Sequence, residues 1–213
     1  MRHGRVAYFE NGRALHPDGV PLTAEGREQA EAARELLAGI GFDRVITSGL
    51  PRTVETARIV APDSEPEEWS ELREIESGRL GDIPEDKLER AFLDAWRDVV
   101  PEETPFLGGE TIGSLLDRVL PAVERLISDR EWDVVLAVLH GAVNRAILSH
   151  ALTGGRLFLG NLEQAPGCLN VLDVGEDWVV RAVGITPLDF AHRGGRLRTM
   201  EELWEEFRPP AQP

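Results

Sequence analysis

The sequence predicts an α/β fold, a three-layer α/β/α sandwich with a mostly parallel central sheet, interrupted by one insertion. Apolar runs of strand length alternate with stretches of helical periodicity, as expected when helices connect neighbouring parallel strands. The clearest strand, at 133–139, is apolar almost throughout, which is typical of the middle of a parallel sheet. Residues 62–109 break the alternation and hold two stretches rich in Pro, Gly and Glu. A chain of 213 residues is long enough for one such domain, assigned here to 1–208.

The first predicted helix begins after Thr23, whose side chain is a plausible N-cap, and Glu25 lies in the first turn where a carboxylate is stabilising. Gly39 and Gly41 are expected to end it. One face of this helix is apolar at helical spacing and consists of Ala30, Ala33, Leu36, Leu37 and Ile40.

The remaining elements follow from the same local signals. A short buried strand at 44–47 leads through a turn at 48–51 into a helix that runs from Arg52 to about Val60. The strand at 133–139 passes directly into a helix at 141–148, and 168–174 with 177–184 predict a hairpin. One helix near 84–99 and a second at 111–128, with Pro121 as a kink, are also predicted. The tail at 209–213 is expected to be flexible.

Composition excludes several classes of protein. The net charge of −15 would repel nucleic acid and anionic membrane surfaces, so neither is an expected partner. No apolar run approaches the roughly 20 residues of a membrane helix, and no secretory signal is visible, so a cytoplasmic location is expected. The single cysteine, Cys168, excludes a disulfide framework and predicts a small buried apolar side chain.

Three short segments carry the chemistry. The chain opens with Arg2-His3-Gly4, continues with Ser48-Gly49-Leu50-Pro51-Arg52-Thr53 at a strand-to-helix turn, and later has Leu139-His140-Gly141 at the end of a strand. Taken together and in this order, they resemble the histidine phosphatase superfamily, the phosphoglycerate mutase-like enzymes, over roughly residues 1–186. The insertion at 62–109 matches the place of the cap over the active site in that family.

The resemblance implies a role for each residue. His3 would be the nucleophile that forms a phosphohistidine, while Arg2 and Arg52 would surround the phosphoryl oxygens. His140 would hold the phosphoryl group in the transition state, beside the free N–H groups of the helix that starts at Gly141. Gly4 is expected to let the backbone approach the phosphate.

The general acid is assigned by the family pattern Leu-x-Glu followed, four residues after the glutamate, by glycine. Leu72 to Gly78 fits this pattern and selects Glu74, with Glu76 as the rival. After Gly78 the chain is one residue tighter than the family pattern. Gly109-Glu110-Thr111 resembles a Gly-Glu-Ser that lines the rim of the site in relatives. This chemistry needs no metal and no cofactor, and none is predicted.

The choice between transfer and hydrolysis depends on the cap. Mutase relatives carry an Arg-Arg pair there, whereas this chain has Arg97 followed by Asp98, which would repel an anionic substrate. The sequence therefore predicts hydrolysis of a small phosphorylated metabolite. Mutase-type phosphoryl transfer and a non-catalytic phosphate-binding protein remain the alternatives. Arg145 matches a recurrent family arginine and is expected to tie its helix to the sheet.

The N-terminus departs from the family pattern. In relatives a buried apolar strand precedes Arg-His-Gly, but here only Met1 does. We therefore expect the natural protein to begin several residues earlier. The 213-residue form should be less stable, or should pair its open sheet with another chain, as in a homodimer.

Overall fold

The computed structural model describes residues 1–10, 13–188 and 197–208. The helices in this part of the chain are α1 (Ala24–Leu36), α2 (Pro51–Val60), α3 (Leu88–Leu93), α4 (Ile112–Ser128), α5 (Gly141–Thr153) and α6 (Thr199–Phe207). The strands are β1 (Phe9–Glu10), β2 (Arg13–Ala14), β3 (Arg44–Thr47), β4 (Glu67–Glu68), β5 (Val135–Val138), β6 (Leu169–Val174) and β7 (Trp178–Ile185).

The central sheet is parallel and has the order β4-β3-β5. The N-terminal residues continue it beside β5, because Arg2 forms a parallel bridge with Leu139. Leu139 donates to the Met1 carbonyl at 2.9 Å, and His3 donates to the Leu139 carbonyl at 3.0 Å. On the other side, Arg2 donates to the carbonyl of Cys168 at 2.9 Å, next to the antiparallel hairpin of β6 and β7. His3 therefore lies at the end of the sheet where the parallel strands terminate.

Helices cover both faces of this sheet. Neighbouring residues of a strand point to opposite faces, so consecutive residues of β3 show which helices pack on each face. Val45 packs in a buried cluster with Ala30 of α1 and Ala57 of α2. Ile46, the next residue, packs in a second cluster that contains Leu116 of α4 and the start of α5. The predicted three-layer sandwich with a mostly parallel sheet is confirmed.

Local signals placed most elements correctly. The Thr23 hydroxyl accepts a hydrogen bond from the Gly26 N–H at 3.0 Å and caps α1, which ends at Leu36, before the predicted glycines. The prediction of α2 holds to within one residue, since Pro51 is its first residue. Helix α5 begins at Gly141 and ends at Gly154, whose φ of 65° is the left-handed conformation that glycine favours at helix ends.

The insertion is less regular than predicted. The single helix expected near 84–99 is wrong: α3 has six residues and is flanked by short 3-10 turns at Glu85–Lys87 and Asp94–Trp96. Phe92 packs on Trp204 of α6, with ring centroids 5.5 Å apart, whereas Trp96 packs on Phe158 in the main core. The two aromatic anchors serve different neighbours, and tertiary packing therefore overrides the helical pattern.

Helix α4 runs through Pro121 without interruption to Ser128, and Thr111 caps its start. No helix in the described ranges has the length and apolarity needed to cross a membrane. The tail at 209–213 lies outside the described residues.

Candidate active site

The three predicted segments meet where the sheet ends. His3 follows the N-terminal segment, Ser48 follows β3, and His140 follows β5. In parallel sheets this edge is where ligands are bound. The imidazole rings of His3 and His140 lie edge to face with centroids 5.2 Å apart, and both side chains are completely buried.

The ring of His3 has one defined tautomer. Its Nδ1 lies 2.7 Å from the Gly4 carbonyl oxygen, which can only accept, so Nδ1 carries the proton and Nε2 has the lone pair. Arg52 donates its Nε–H to that Nε2 at 3.3 Å. Burial, and then the charges of Arg52 and Arg2, hold the pKa of His3 well below 6.5. At neutral pH the ring is therefore uncharged and can act as a nucleophile through Nε2.

His140 has a different environment. Its Nε2 lies 2.7 Å from the Ser48 hydroxyl, while its Nδ1 is buried and has no hydrogen-bond partner among the described residues. Burial is the largest cause that lowers the pKa of His140, followed by the charge of Arg52. A buried nitrogen without a partner is costly in a folded protein, which indicates that a ligand atom belongs there.

Arg2 and Arg52 are buried cations without a counter-charge. Their exposed fractions are 6% and 1%, and neither has a carboxylate within ion-pair distance among the residues that the structure describes. Arg52 donates to the Pro17 carbonyl at 2.6 Å, and Arg2 donates to the carbonyl of Gln164 at 2.5 Å. The Nε of Arg2 has no partner in the described part of the chain. Buried charges of this kind are normally paired, so the arrangement is suited to an anion.

Glu74 lies at the N-terminus of α5. Its carboxylate accepts hydrogen bonds from the Gly141 N–H at 2.9 Å, from the Ala142 N–H at 3.1 Å and from its own neighbour Ile75 at 3.1 Å. Helix N-termini bind anions through such free N–H groups. Glu76 is exposed on the wall of the adjoining cavity. Glu74 is thus in direct contact with the helix that follows His140, whereas Glu76 is an exposed residue of the cavity wall.

A brace that the sequence analysis missed holds the loop of Glu74. Arg118 of α4 donates to the carbonyls of Glu71 and Arg73, each at 2.7 Å, and to the carbonyl of Glu74 at 3.2 Å. Glu110 fixes this guanidinium at 2.8 Å, so it supports the loop from behind. No local pattern marks the role of Arg118, because the three carbonyls that it binds lie more than forty positions away in the chain.

The two site glycines differ in what they approach. A Cβ on Gly4 would lie 2.2 Å from the Gly26 carbonyl oxygen of α1, so the close approach at Gly4 is to a neighbouring helix. Gly141 lines the cavity, and a Cβ there would lie 3.8 Å from the guanidinium carbon of Arg2. Of the two, only Gly141 therefore borders the space where a ligand would bind.

Arg145 ties α5 to the following loop rather than to the sheet. It donates to the carbonyls of Gly160 at 3.2 Å and Gly141 at 3.1 Å, and it pairs with Glu163 at 3.3 Å. Burial lowers the pKa of this guanidinium to about 10. Its guanidinium carbon also lies 4.7 Å from the ring centroid of Trp96, which joins the cap to this helix.

A cavity of about 760 Å³ opens above the arginines and the N-terminus of α5. Arg2, Arg52 and Gly141 line one end of it, and Tyr8 and Phe9 lie on its wall. The two histidines are completely buried next to this end. These features define the class of protein: an α/β fold with a buried, arginine-flanked histidine pair suited to phosphoryl groups.

The chain belongs to the histidine phosphatase superfamily, because the model of its branch 1 matches residues 1–186. A probable 2-carboxy-D-arabinitol-1-phosphatase from Arabidopsis thaliana is 30% identical over 88% of this chain and 39% of that protein. The chain thus spans about two-fifths of that relative's length. A 2,3-bisphosphoglycerate-dependent phosphoglycerate mutase from Rhizobium etli is 32% identical over 69% of this chain and 76% of that protein.

The fold is shared with solved structures. The alpha-ribazole phosphatase from Shigella flexneri superimposes with a TM-score of 0.70 at 23% identity, covering 86% of this chain and 94% of that one. Membership of this superfamily supports a phosphatase.

Proposed function

We propose that the protein is a phosphomonoester hydrolase that acts on a phosphorylated metabolite through a phosphohistidine on His3. The observation that carries the proposal is the pair of buried arginines, Arg2 and Arg52, which flank an uncharged histidine and have no carboxylate partner within the described ranges. A dianionic phosphoryl group would supply the missing charge. The resemblance to phosphatases supports hydrolysis as the outcome.

The first step follows from the hydrogen bonds of His3. Its Nε2 lone pair attacks phosphorus while Nδ1 keeps its proton and donates it in a hydrogen bond to the Gly4 carbonyl, which stabilises the positive charge that develops on the ring. The P–O ester bond breaks, and the leaving oxygen takes a proton from Glu74. Arg2 and Arg52 would hold the phosphoryl oxygens as their charge redistributes, and His140 would donate to them from Nδ1 in the doubly protonated form that a bound dianion favours.

In the second step water attacks the phosphohistidine. Glu74 now accepts a proton from that water, the N–P bond breaks, and the bonding pair returns to His3. The products are the alcohol and inorganic phosphate, and both His3 and Glu74 end in their starting protonation states. The N–H groups of Gly141 and Ala142, which contact Glu74 here, keep its carboxylate beside the site.

A mutase is the second candidate, and the phosphoglycerate mutase relative is the observation that favours it. A mutase must return the phosphoryl group to a substrate hydroxyl and must recognise a carboxylate. Asp98 is exposed and takes a positive φ of 47°, at the place where the mutase pattern has its second arginine. This substitution favours hydrolysis over transfer.

Trapping the phosphoenzyme tests the proposal. Wild type is mixed with a labelled aryl phosphate and quenched, and the protein should carry an acid-labile, base-stable label that is absent from His3→Ala. The matched control is His150→Ala, since His150 contacts the Gly155 carbonyl and Trp178 at the other end of α5. His150→Ala should keep the label and the activity. Substantial phosphate release by His3→Ala would show that another group is the nucleophile.

Analysis of the products formed from 2- and 3-phosphoglycerate separates the alternatives. Release of inorganic phosphate without interconversion of 2- and 3-phosphoglycerate supports the hydrolase. Interconversion supports the mutase, and tight phosphate binding without turnover supports a non-catalytic phosphate-binding protein.

A further inference from the structure

The cavity above the phosphate end is larger than a small phosphorylated acid requires. Its volume of about 760 Å³ falls in the range of about 300–1,000 Å³ that is typical of sites for drug-sized ligands. Arg2 and Arg52 occupy only one end, so most of the volume is available to the part of the substrate that leaves with the ester oxygen.

Most of the wall away from the arginines is apolar. The apolar side chains of this wall include Phe9, Phe92, Phe106, Leu107, Met200 and Leu203. They come from the N-terminal segment, from the cap and from α6, three parts of the chain that are distant in sequence. A substrate in this cavity therefore meets apolar surface on several sides.

The charged groups on the wall give no net attraction for a second anion. Asp18 and Glu76 line the cavity together with Arg79 and His16, so the acidic side chains there offset the basic ones. Arg145 also lines it, but its guanidinium already pairs with Glu163. A carboxylate or second phosphate on the substrate thus finds, among the described residues of the wall, no free and buried cation comparable with Arg2 and Arg52.

Helix α6 links the apolar wall to the phosphate end. Thr199, its first residue, lies 3.3 Å from Nη1 of Arg2 and donates its hydroxyl proton to Glu163 at 2.6 Å. Phe207, its last residue, stacks on Phe92 of the cap with centroids 5.3 Å apart. Between these two anchors the helix places Met200 and Leu203 on the cavity wall.

We propose that this site hydrolyses phosphate monoesters of bulky alcohols or phenols with substantial apolar surface, and that Leu203 and Met200 of α6 determine this specificity. The inference rests on the proposed function, because it identifies the substrate class of the same site. It follows from burial of the apolar part of the substrate against the cavity wall, which is favourable in proportion to the area removed from water.

The test compares esters whose leaving groups have matched reactivity. Wild type is assayed with 4-phenylbutyl phosphate, ethyl phosphate and 3-phosphoglycerate. The first should have a kcat/KM at least about tenfold higher than either of the others, because an added apolar group typically contributes tenfold or more to discrimination. Leu203→Gln should reduce the ratio of phenylbutyl to ethyl phosphate by about tenfold.

Leu152→Gln is the matched control, because Leu152 is 49% exposed and lies on α5 away from the cavity wall. It should leave both rates and the ratio unchanged. If wild type releases phosphate but prefers ethyl phosphate or 3-phosphoglycerate, the substrate class is wrong and the hydrolase proposal stands. If no ester is hydrolysed, the proposed function itself fails. An unchanged ratio in folded Leu203→Gln would show that α6 does not determine the specificity.

Discussion

Replacing Gly4 with alanine tests whether the close approach between the nucleophile segment and α1 is needed for stability. Gly4 follows His3 and accepts a hydrogen bond from the Nδ1–H of that ring through its carbonyl, while its own N–H donates to the Thr56 hydroxyl at 3.1 Å. A Cβ at Gly4 would lie 2.2 Å from the Gly26 carbonyl oxygen and 2.8 Å from its carbon. Gly26 is equally close in return, since its own Cβ would lie 2.2 Å from the Arg5 carbonyl oxygen.

The size of the effect follows from these distances. Real Cβ contacts essentially never fall below 3.0 Å, so α1 and the N-terminal segment would have to separate by about 0.8 Å. Both contacting groups are backbone, and no side-chain rotation can relieve the clash. Overpacking usually costs about 1–3 kcal/mol, and the upper end applies here. At roughly 2–4 °C per kcal/mol for a domain of this size, Gly4→Ala should lower Tm by about 6–12 °C.

Urea and thermal unfolding of purified variants measure this effect. Gly26→Ala should lose less, because alanine in a helix gains up to about 1 kcal/mol over glycine and offsets part of the clash. Gly19→Ala is the control: no atom of the described residues lies within 4 Å of a Cβ at Gly19, so its stability should change by no more than about 1 kcal/mol. A Gly4→Ala protein within about 1 kcal/mol of wild type would refute the argument from close approach.

Three further outcomes are expected. The buried rings of His3 and His140 have lowered pKa values, so the unfolded chain takes up protons first. The free energy of unfolding, measured in urea between pH 7.5 and 5.5, should therefore fall below pH 6.5 by about 1.4 kcal/mol per pH unit for each ring. Glu74→Gln should slow alkyl phosphate hydrolysis far more than hydrolysis of activated aryl phosphates, and a larger loss from Glu76→Gln would reverse the assignment. Thr53→Val should lower kcat by up to about tenfold, with Thr53→Ser close to wild type, because this hydroxyl fixes the hydrogen bond that reaches His140.

The reason for the last expectation lies in the direction of one hydrogen-bond chain. Thr53 donates to the Leu50 carbonyl at 2.8 Å, so its oxygen is free to accept from Ser48 at 3.1 Å. When Ser48 donates there, its oxygen accepts from Nε2 of His140. The Thr53 hydroxyl, which reaches His140 through Ser48, thereby favours a His140 ring that carries a proton on Nε2.

Local signals in the sequence were sufficient for much of the fold. Thr23 caps α1 through its own hydroxyl, as predicted, because this signal acts within a few residues. Helix α5 begins at the predicted Gly141 but continues beyond the predicted 148 to Thr153. The meeting of Arg52 and His140 also follows from local position, because each lies a few residues beyond a strand of the parallel sheet and the ends of such strands share one edge. For His3 the sequence indicated no preceding strand, and the structure places it after the parallel bridge between Arg2 and Leu139.

Features that depend on distant partners could not be predicted. The pattern at 84–99 is helical, yet the division of its aromatic side chains between the core and α6 breaks it into short pieces. Arg118 looks like an ordinary exposed-face arginine of an amphipathic helix until the loop of Glu74 is in place. Nothing local in the sequence of α6 marks the cavity that Met200 and Leu203 border.

The arginines of the candidate site differ from those of the structural ion pairs in whether a carboxylate neutralises them. Arg44 binds Asp129 at 2.8 Å as well as Glu67 of β4, and these carboxylates raise its pKa. Its charge is therefore neutralised within the folded chain.

Arg2 and Arg52 are more deeply buried, have no carboxylate partner in the described part of the chain, and lower the pKa of the His3 ring between them. Such an arrangement is unfavourable for the folded chain alone. It becomes favourable when a dianion binds, and a ligand at a hundred times its Kd would then add about 2.7 kcal/mol to stability. The cations are therefore better explained by an anionic ligand than by the stability of the fold.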